Sequence, residues 1–63
     1  MEHSEILQLR EGTLVRFYRN GWRVAYFERP EPPKRPKVAV LIPPMLGKRR
    51  IKVPVANVEV IQP

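Results

Sequence analysis

Three arginines, Arg16, Arg19 and Arg23, surround Trp22, with Tyr18 and Tyr26 a few residues away. Guanidinium groups fork onto phosphate oxygens, and an exposed indole stacks on a base or wedges into a groove. Mixed on one small sheet, these side chains make a surface for something flat and negative. A second set, Lys48-Arg49-Arg50-Ile51-Lys52, is the densest basic cluster of the chain. Each phosphate it contacts releases counterions, which gives salt-sensitive affinity with little sequence preference. Lys34, Arg35 and Lys37, in a proline-rich stretch, offer secondary contacts to a backbone. Each set also has a plainer reading. Trp22 caps one end of a core with Arg23 over it, the basic strand face guards against edge-to-edge aggregation, and the proline-rich stretch is a stiff, soluble connector.

Catalytic chemistry finds little material. There is no cysteine, the one serine is Ser4 and the one histidine is His3, both at the start of the chain. Glu2 and Glu5 share that start, Glu28 and Glu31 flank the proline-rich stretch, and only Glu11 and Glu59 lie in the body. Neither has a second acid or base beside it in sequence, and no glycine-rich phosphate loop occurs, so we expect no enzyme. Without thiolates, and with a single imidazole, no metal site or cofactor is expected.

Twelve Lys+Arg against six Asp+Glu give a formal net charge of +6 in 63 residues. That excess attracts anionic partners over long range, nucleic acid first. A chain this short makes one small domain and buries only about 60% of its unfolded surface, so its core is marginal. No run approaches the roughly 18 apolar residues of a membrane span, and the acidic start lacks the basic, then apolar, plan of a signal peptide. The expected setting is intracellular, cytoplasmic or at the nucleus or nucleoid, with no membrane partner.

The elements that position these residues are punctuated by glycine and proline. Residues 1–10 are a partly ordered lead-in whose Ile6, Leu7 and Leu9 fit either a helical turn or a short edge strand; residues 11–63 form the domain. Asn20-Gly21 between two β-branched and aromatic runs is a strong hairpin signal, since both residues tolerate positive φ in a type I′ turn. The first strand spans 13–18 and the second 22 to about 28. Val15, Phe17, Ala25 and Phe27 fall on one face; Leu14, Arg16, Tyr18, Val24 and Tyr26 fall on the other. Four of the eight residues 29–36 are proline, which excludes a central strand there and predicts an extended loop. The third strand, 37–42, is nearly all apolar and is expected either to be buried on both faces or to meet a partner at an edge. The fourth, 49–53, alternates, with Ile51 and Val53 inward and Arg50 and Lys52 outward. Val55-Ala56-Asn57 fits one 3₁₀ turn, and 58–61 makes the last strand. Closing five short strands into a barrel would remove edges that so small a sheet cannot otherwise cover.

Gly12 with Leu14-Val15, Gly21-Trp22-Arg23-Val24-Ala25, Val38 to Ile42, and Ile51-Lys52-Val53-Pro54 through Asn57-Val58-Glu59-Val60-Ile61 follow one another as in a known pattern. Over residues 11–61 the chain resembles the Src-homology-3-like small barrels, which include Tudor, Agenet and KOW domains and the C-terminal DNA-binding barrel of retroviral integrases. The resemblance implies an all-β, strongly bent, five-stranded antiparallel barrel with a single 3₁₀ turn before its last strand. It specifies fold far better than function. The Tudor-like likeness is closest at Gly21 to Ala25, where Trp22, Tyr18 and Tyr26 supply walls for a methyl-lysine cage. The third strand lacks the aromatic and the acidic or amide residue that such a cage needs, and a charge of +6 repels a cationic tail. The integrase-like likeness runs from Val38 to Ile61 and implies a basic face on a DNA backbone, without the parts needed for strand transfer.

The sequence therefore predicts a non-enzymatic nucleic-acid-binding barrel, with DNA, double-stranded, favoured over RNA. Arg16, Arg19, Trp22, Arg23, Tyr26, Lys48, Arg49, Arg50 and Lys52 carry the contact, and Lys34, Arg35 and Lys37 add to it. The alternative is a protein-interaction or assembly module that pairs through the apolar third strand, as a homo-oligomer or with another protein.

Overall fold

The computed structural model describes residues 3–45 and 47–61. A short helix, α1 (His3–Gln8), precedes strands β1 (Leu14–Tyr18), β2 (Trp22–Glu31), β3 (Val38–Ile42) and β4 (Ile51–Pro54). A 3₁₀ turn (Val55–Asn57) and β5 (Val58–Val60) complete the order. The acidic start at Met1 and Glu2, Leu46 of the β3–β4 loop and the closing Gln62-Pro63 lie outside the described residues.

The five strands form one antiparallel sheet in the order β4-β3-β2-β1-β5. Laid flat, that order would set β4 and β5 four spacings of about 4.8 Å apart, roughly 19 Å. The steps from Pro54 to Val58 reach at most about 14 Å. The sheet must therefore curl until its two edges approach, and the molecule measures 29 × 22 × 22 Å. Among the described residues no ladder joins β4 to β5, so the expected closed barrel is a curled, open sheet. One contact bridges the gap: Arg19, at the tip of the β1–β2 hairpin, donates Nη2–H to the Lys52 carbonyl on the outer edge of β4, at 3.3 Å.

Alternation along β1 and β2 sorts the faces as expected. Val15, Phe17, Ala25 and Phe27 are buried with Ala39, Leu41, Val53, Val55 and Val58, while Leu14, Tyr18, Trp22, Val24 and Tyr26 face outward and are exposed. The lead-in resolves as helix: Ile6 of α1 joins the core, and Leu9 packs against it. Six residues are too few for a stable isolated helix, so the anchoring of Ile6 holds α1 in place.

Three details depart from the sequence reading, the smallest being that the fourth strand spans Ile51–Pro54 and not 49–53, so that Arg49 and Arg50 precede it. The hairpin register closes at Tyr18↔Trp22, leaving the three-residue loop Arg19-Asn20-Gly21 instead of a two-residue turn. Asn20 (φ 55°) and Gly21 (φ 115°) still take the left-handed conformations that favour this pair. In addition, β2 does not stop near Glu28 but continues through Arg29, Pro30 and Glu31, paired with β3. The β1 ladder has ended by then, at Leu14↔Tyr26, with Phe27 N–H bonded to the Thr13 carbonyl just beyond. With no strand beyond it on that side, Pro30 deprives no ladder of a donor. A register shift between Phe27 and Arg29 leaves Glu28 as an extra residue, a bulge that lets β2 bend from one half of the sheet into the other.

The third strand is central. β2 and β4 pair with its two edges, and Ala39, Val40 and Leu41 are buried. Its apolar character is used inside the fold, and it has no open edge of the kind through which a partner was expected to pair.

Candidate functional site

The outer face of the β5–β1–β2 half carries the aromatic set. Tyr18 and Trp22 are cross-strand partners whose rings meet edge to face, centroids 5.5 Å apart. They are 53% and 52% exposed, far more than an aromatic serving only to close a core. Tyr26 lies further along the same face, opposite Leu14. Between these pairs Arg16 faces Val24 on β2 and Glu59 on β5. Its Nε and Nη2 both donate to Glu59 Oε2, at 2.9 and 2.5 Å, and its guanidinium carbon stands 4.4 Å from the Trp22 ring centroid. With a carboxylate on one side and a π-face on the other, the Arg16 guanidinium lies flat as part of the surface. Beside Trp22 runs an open groove of about 470 Å³, lined by Arg16, Trp22, Arg23, Val24, Val60 and Ile61.

The β2–β3–β4 half is covered by ion pairs. Glu28, in the bulge, has a side chain only 10% exposed and accepts from Arg29 Nη1 at 2.8 Å and Arg50 Nε at 2.5 Å. Glu31 accepts from Lys52 Nζ at 2.9 Å, with Arg29 Nη2 at 3.6 Å. Lys52's hydrogen bond and charge, then Arg29's, hold the Glu31 carboxyl below the usual carboxylate range. Val40 lies under this layer on the outer face, 1% exposed, with Arg29 and Lys52 as its register partners on either side. Ion-paired tips keep long side chains lying along the sheet, where their methylenes shelter such a residue.

These pairs divide the expected site residues. Arg16, Arg50 and Lys52 are matched by Glu59, Glu28 and Glu31. Among the described residues no carboxylate lies within ion-pair distance of Arg10, Arg19, Arg23, Lys34, Arg35, Lys37, Lys48 or Arg49. Arg19 and Arg23 are tied together at the hairpin tip, where Arg23 Nε donates to the Arg19 carbonyl at 3.2 Å. Lys37 is fixed at the other end of β4: its N–H donates to the Glu31 carbonyl, and its own carbonyl accepts from Val55 N–H. Pro36, fully buried, pins the proline-rich loop, so Lys34 and Arg35 project from a stiff support. Arg19 bonds to the Lys52 carbonyl and Lys37 N–H to the Glu31 carbonyl, so each touches one member of the Lys52–Glu31 pair. Lys48 and Arg49 are exposed in the β3–β4 loop, before β4 begins.

Sequence reasoning missed the three carboxylate partners and the groove walls Val60 and Ile61. Arg16 and Glu59 are 43 residues apart. Only the β1–β5 register brings them face to face, and residue types alone do not fix that register.

Comparison with protein-family models, curated proteins and solved structures finds no match. Among the described residues no three His, Cys, Asp or Glu side chains cluster where they would hold a metal ion, and no helix is long and apolar enough to cross a membrane.

Proposed function

We propose that this chain is a non-enzymatic nucleic-acid-binding module of Src-homology-3-like build that docks on the phosphate backbone. The single observation that carries this reading is the set of eight cations with no carboxylate partner among the described residues, within a net charge of +6. Arg19 and Arg23 at the hairpin tip, with Lys34, Arg35 and Lys37 on the neighbouring loop, form the main contact. Lys48 and Arg49 form a second. Arg50, Lys52 and Arg16, engaged by glutamates, order the surface more than they bind. DNA remains the favoured polyanion. The β4, 3₁₀ turn, β5 ending and the curled five-strand order support the Src-homology-3-like assignment.

Double charge reversal separates the two contacts. Arg19→Glu with Arg23→Glu is expected to weaken DNA binding at low salt by at least roughly tenfold and to flatten its salt dependence. Lys48→Glu with Arg49→Glu should do less. Equal, undiminished binding by both variants, measured by anisotropy of a labelled oligonucleotide, would discard this surface. A protein-interaction module is the second reading, favoured by the exposed apolar side chains Leu14, Tyr18, Trp22, Val24 and Tyr26. A stable oligomer in solution without DNA affinity would establish it instead.

A further inference from the structure

We propose that the groove beside Trp22 seats one unpaired nucleobase, so that the chain binds single-stranded nucleic acid more tightly than duplex; this rests on the nucleic-acid reading above. The groove holds about 470 Å³ and is lined by Trp22, Arg16 and Val24 of the outer face together with Arg23, Val60 and Ile61. A base is flat and apolar on its faces, and polar only at its edges and its phosphate. The groove matches that division. Trp22 is half exposed, and the indole face not covered by Arg16 is one on which any base stacks. Arg16, held by Glu59 through Nε and Nη2, lies over one face of Trp22 and backs the indole there. Arg23 also lines the groove, but as the register partner of Phe17 it sends its side chain from the opposite face, where Nε donates to the Arg19 carbonyl at the hairpin tip.

Duplex cannot use this seat. Its bases are stacked on one another, and their faces are reached only by unpairing or flipping. A peptide is the competing occupant of an apolar groove with aromatic walls. The +6 charge of the chain favours a polyanion over it.

Trp22 is the only tryptophan, so its emission reports on this seat alone. The intact chain is titrated with an oligothymidylate of about twelve nucleotides, within the usual single-strand site sizes. The same length as duplex and an inorganic polyphosphate are the comparisons. The proposal expects quenching by oligothymidylate, binding at least roughly fivefold tighter than to duplex, and polyphosphate binding without quenching. By anisotropy, Trp22→Leu should lose roughly tenfold in oligothymidylate affinity while keeping its polyphosphate affinity, and Trp22→Phe should regain most of the loss. If circular dichroism shows Trp22→Leu unfolded, Val24→Lys decides. It blocks the groove yet adds a positive charge, so weaker oligothymidylate binding supports the seat and tighter binding overturns it. Equal affinity for single strand and duplex without quenching overturns the base seat and leaves backbone docking standing. Quenching by a proline-rich peptide but not by oligothymidylate assigns the groove to a protein. If no polyanion binds at all, both readings fall.

Discussion

Glu31 links charge to pH at the scale of one residue. Its hydrogen bond from Lys52, together with Arg29 nearby, favours the ionised carboxyl in the folded chain. The folded-state pKa therefore lies below the unfolded one, and the folded chain binds fewer protons in the window between them. The stabilisation is present above the ordinary carboxyl pKa of about 4.3 and is lost as pH falls through the lowered value. Because the pair is solvent-exposed, its contribution is small and screened by salt. Glu31→Gln should therefore lower the neutral plateau of a melting-temperature profile against pH by at most about a degree and leave its acid end, where the pair is already lost, unchanged, so that the limb between them becomes slightly shallower; a limb of unchanged height would show that other carboxyls govern acid unfolding. Among the described residues, Ile6 is the one residue of α1 in the core. It is fully buried and holds α1 to the core, so Ile6→Ala should cost about 2–4 kcal/mol in denaturant titration.

At the scale of the element, the hairpin was the most legible part of the chain. Asn20-Gly21 announced the turn, and alternation correctly divided Val15, Phe17, Ala25 and Phe27 from Leu14, Tyr18, Val24 and Tyr26. Gly21→Ala should destabilise the fold by about 1–3 kcal/mol, because φ 115° is nearly closed to a residue with a Cβ. No atom would obstruct the added methyl, so the cost is backbone strain alone, and a thermal melt matching wild type would refute it. What stayed hidden depends on pairing between distant segments. The extension of β2 through Pro30 requires knowing that β1 has already ended beside it. The bulge at Glu28 is invisible to a pattern of period two, which only the structure shows to slip there. α1 is too short for periodicity to separate it from a strand. Of the candidate site, the residue types were legible in sequence and their neutralisation was not. Glu28, Glu31 and Glu59 reach their cations across strands, and three of the cations expected to bind turned out to be matched.

For the whole molecule, that matching converts a charge count into a number of contacts. Of twelve basic residues, Arg16, Arg29, Arg50 and Lys52 stand within reach of glutamates, and the rest lie in loops apart from Arg23 near the start of β2. If Arg19, Arg23, Lys34, Arg35 and Lys37 are the side that docks, about five phosphates are neutralised. The logarithm of affinity should then fall against the logarithm of salt with a slope of about −4.5 on duplex DNA and about −3.5 on a single strand. A slope near −7 on duplex would mean that all eight uncompensated cations engage, which requires the nucleic acid to wrap the molecule from the hairpin tip round to the β3–β4 loop. A slope near zero would mean that charge does not drive the encounter, and the exposed aromatic face would then have to supply the affinity by itself. The three outcomes are far enough apart to be separated by one titration series over a few salt concentrations. The Arg19→Glu, Arg23→Glu chain should shift the duplex slope towards zero by about two, one unit for each lost phosphate contact. A shift of that size would tie the count to the hairpin tip; an unchanged slope would move the docking side to Lys48 and Arg49.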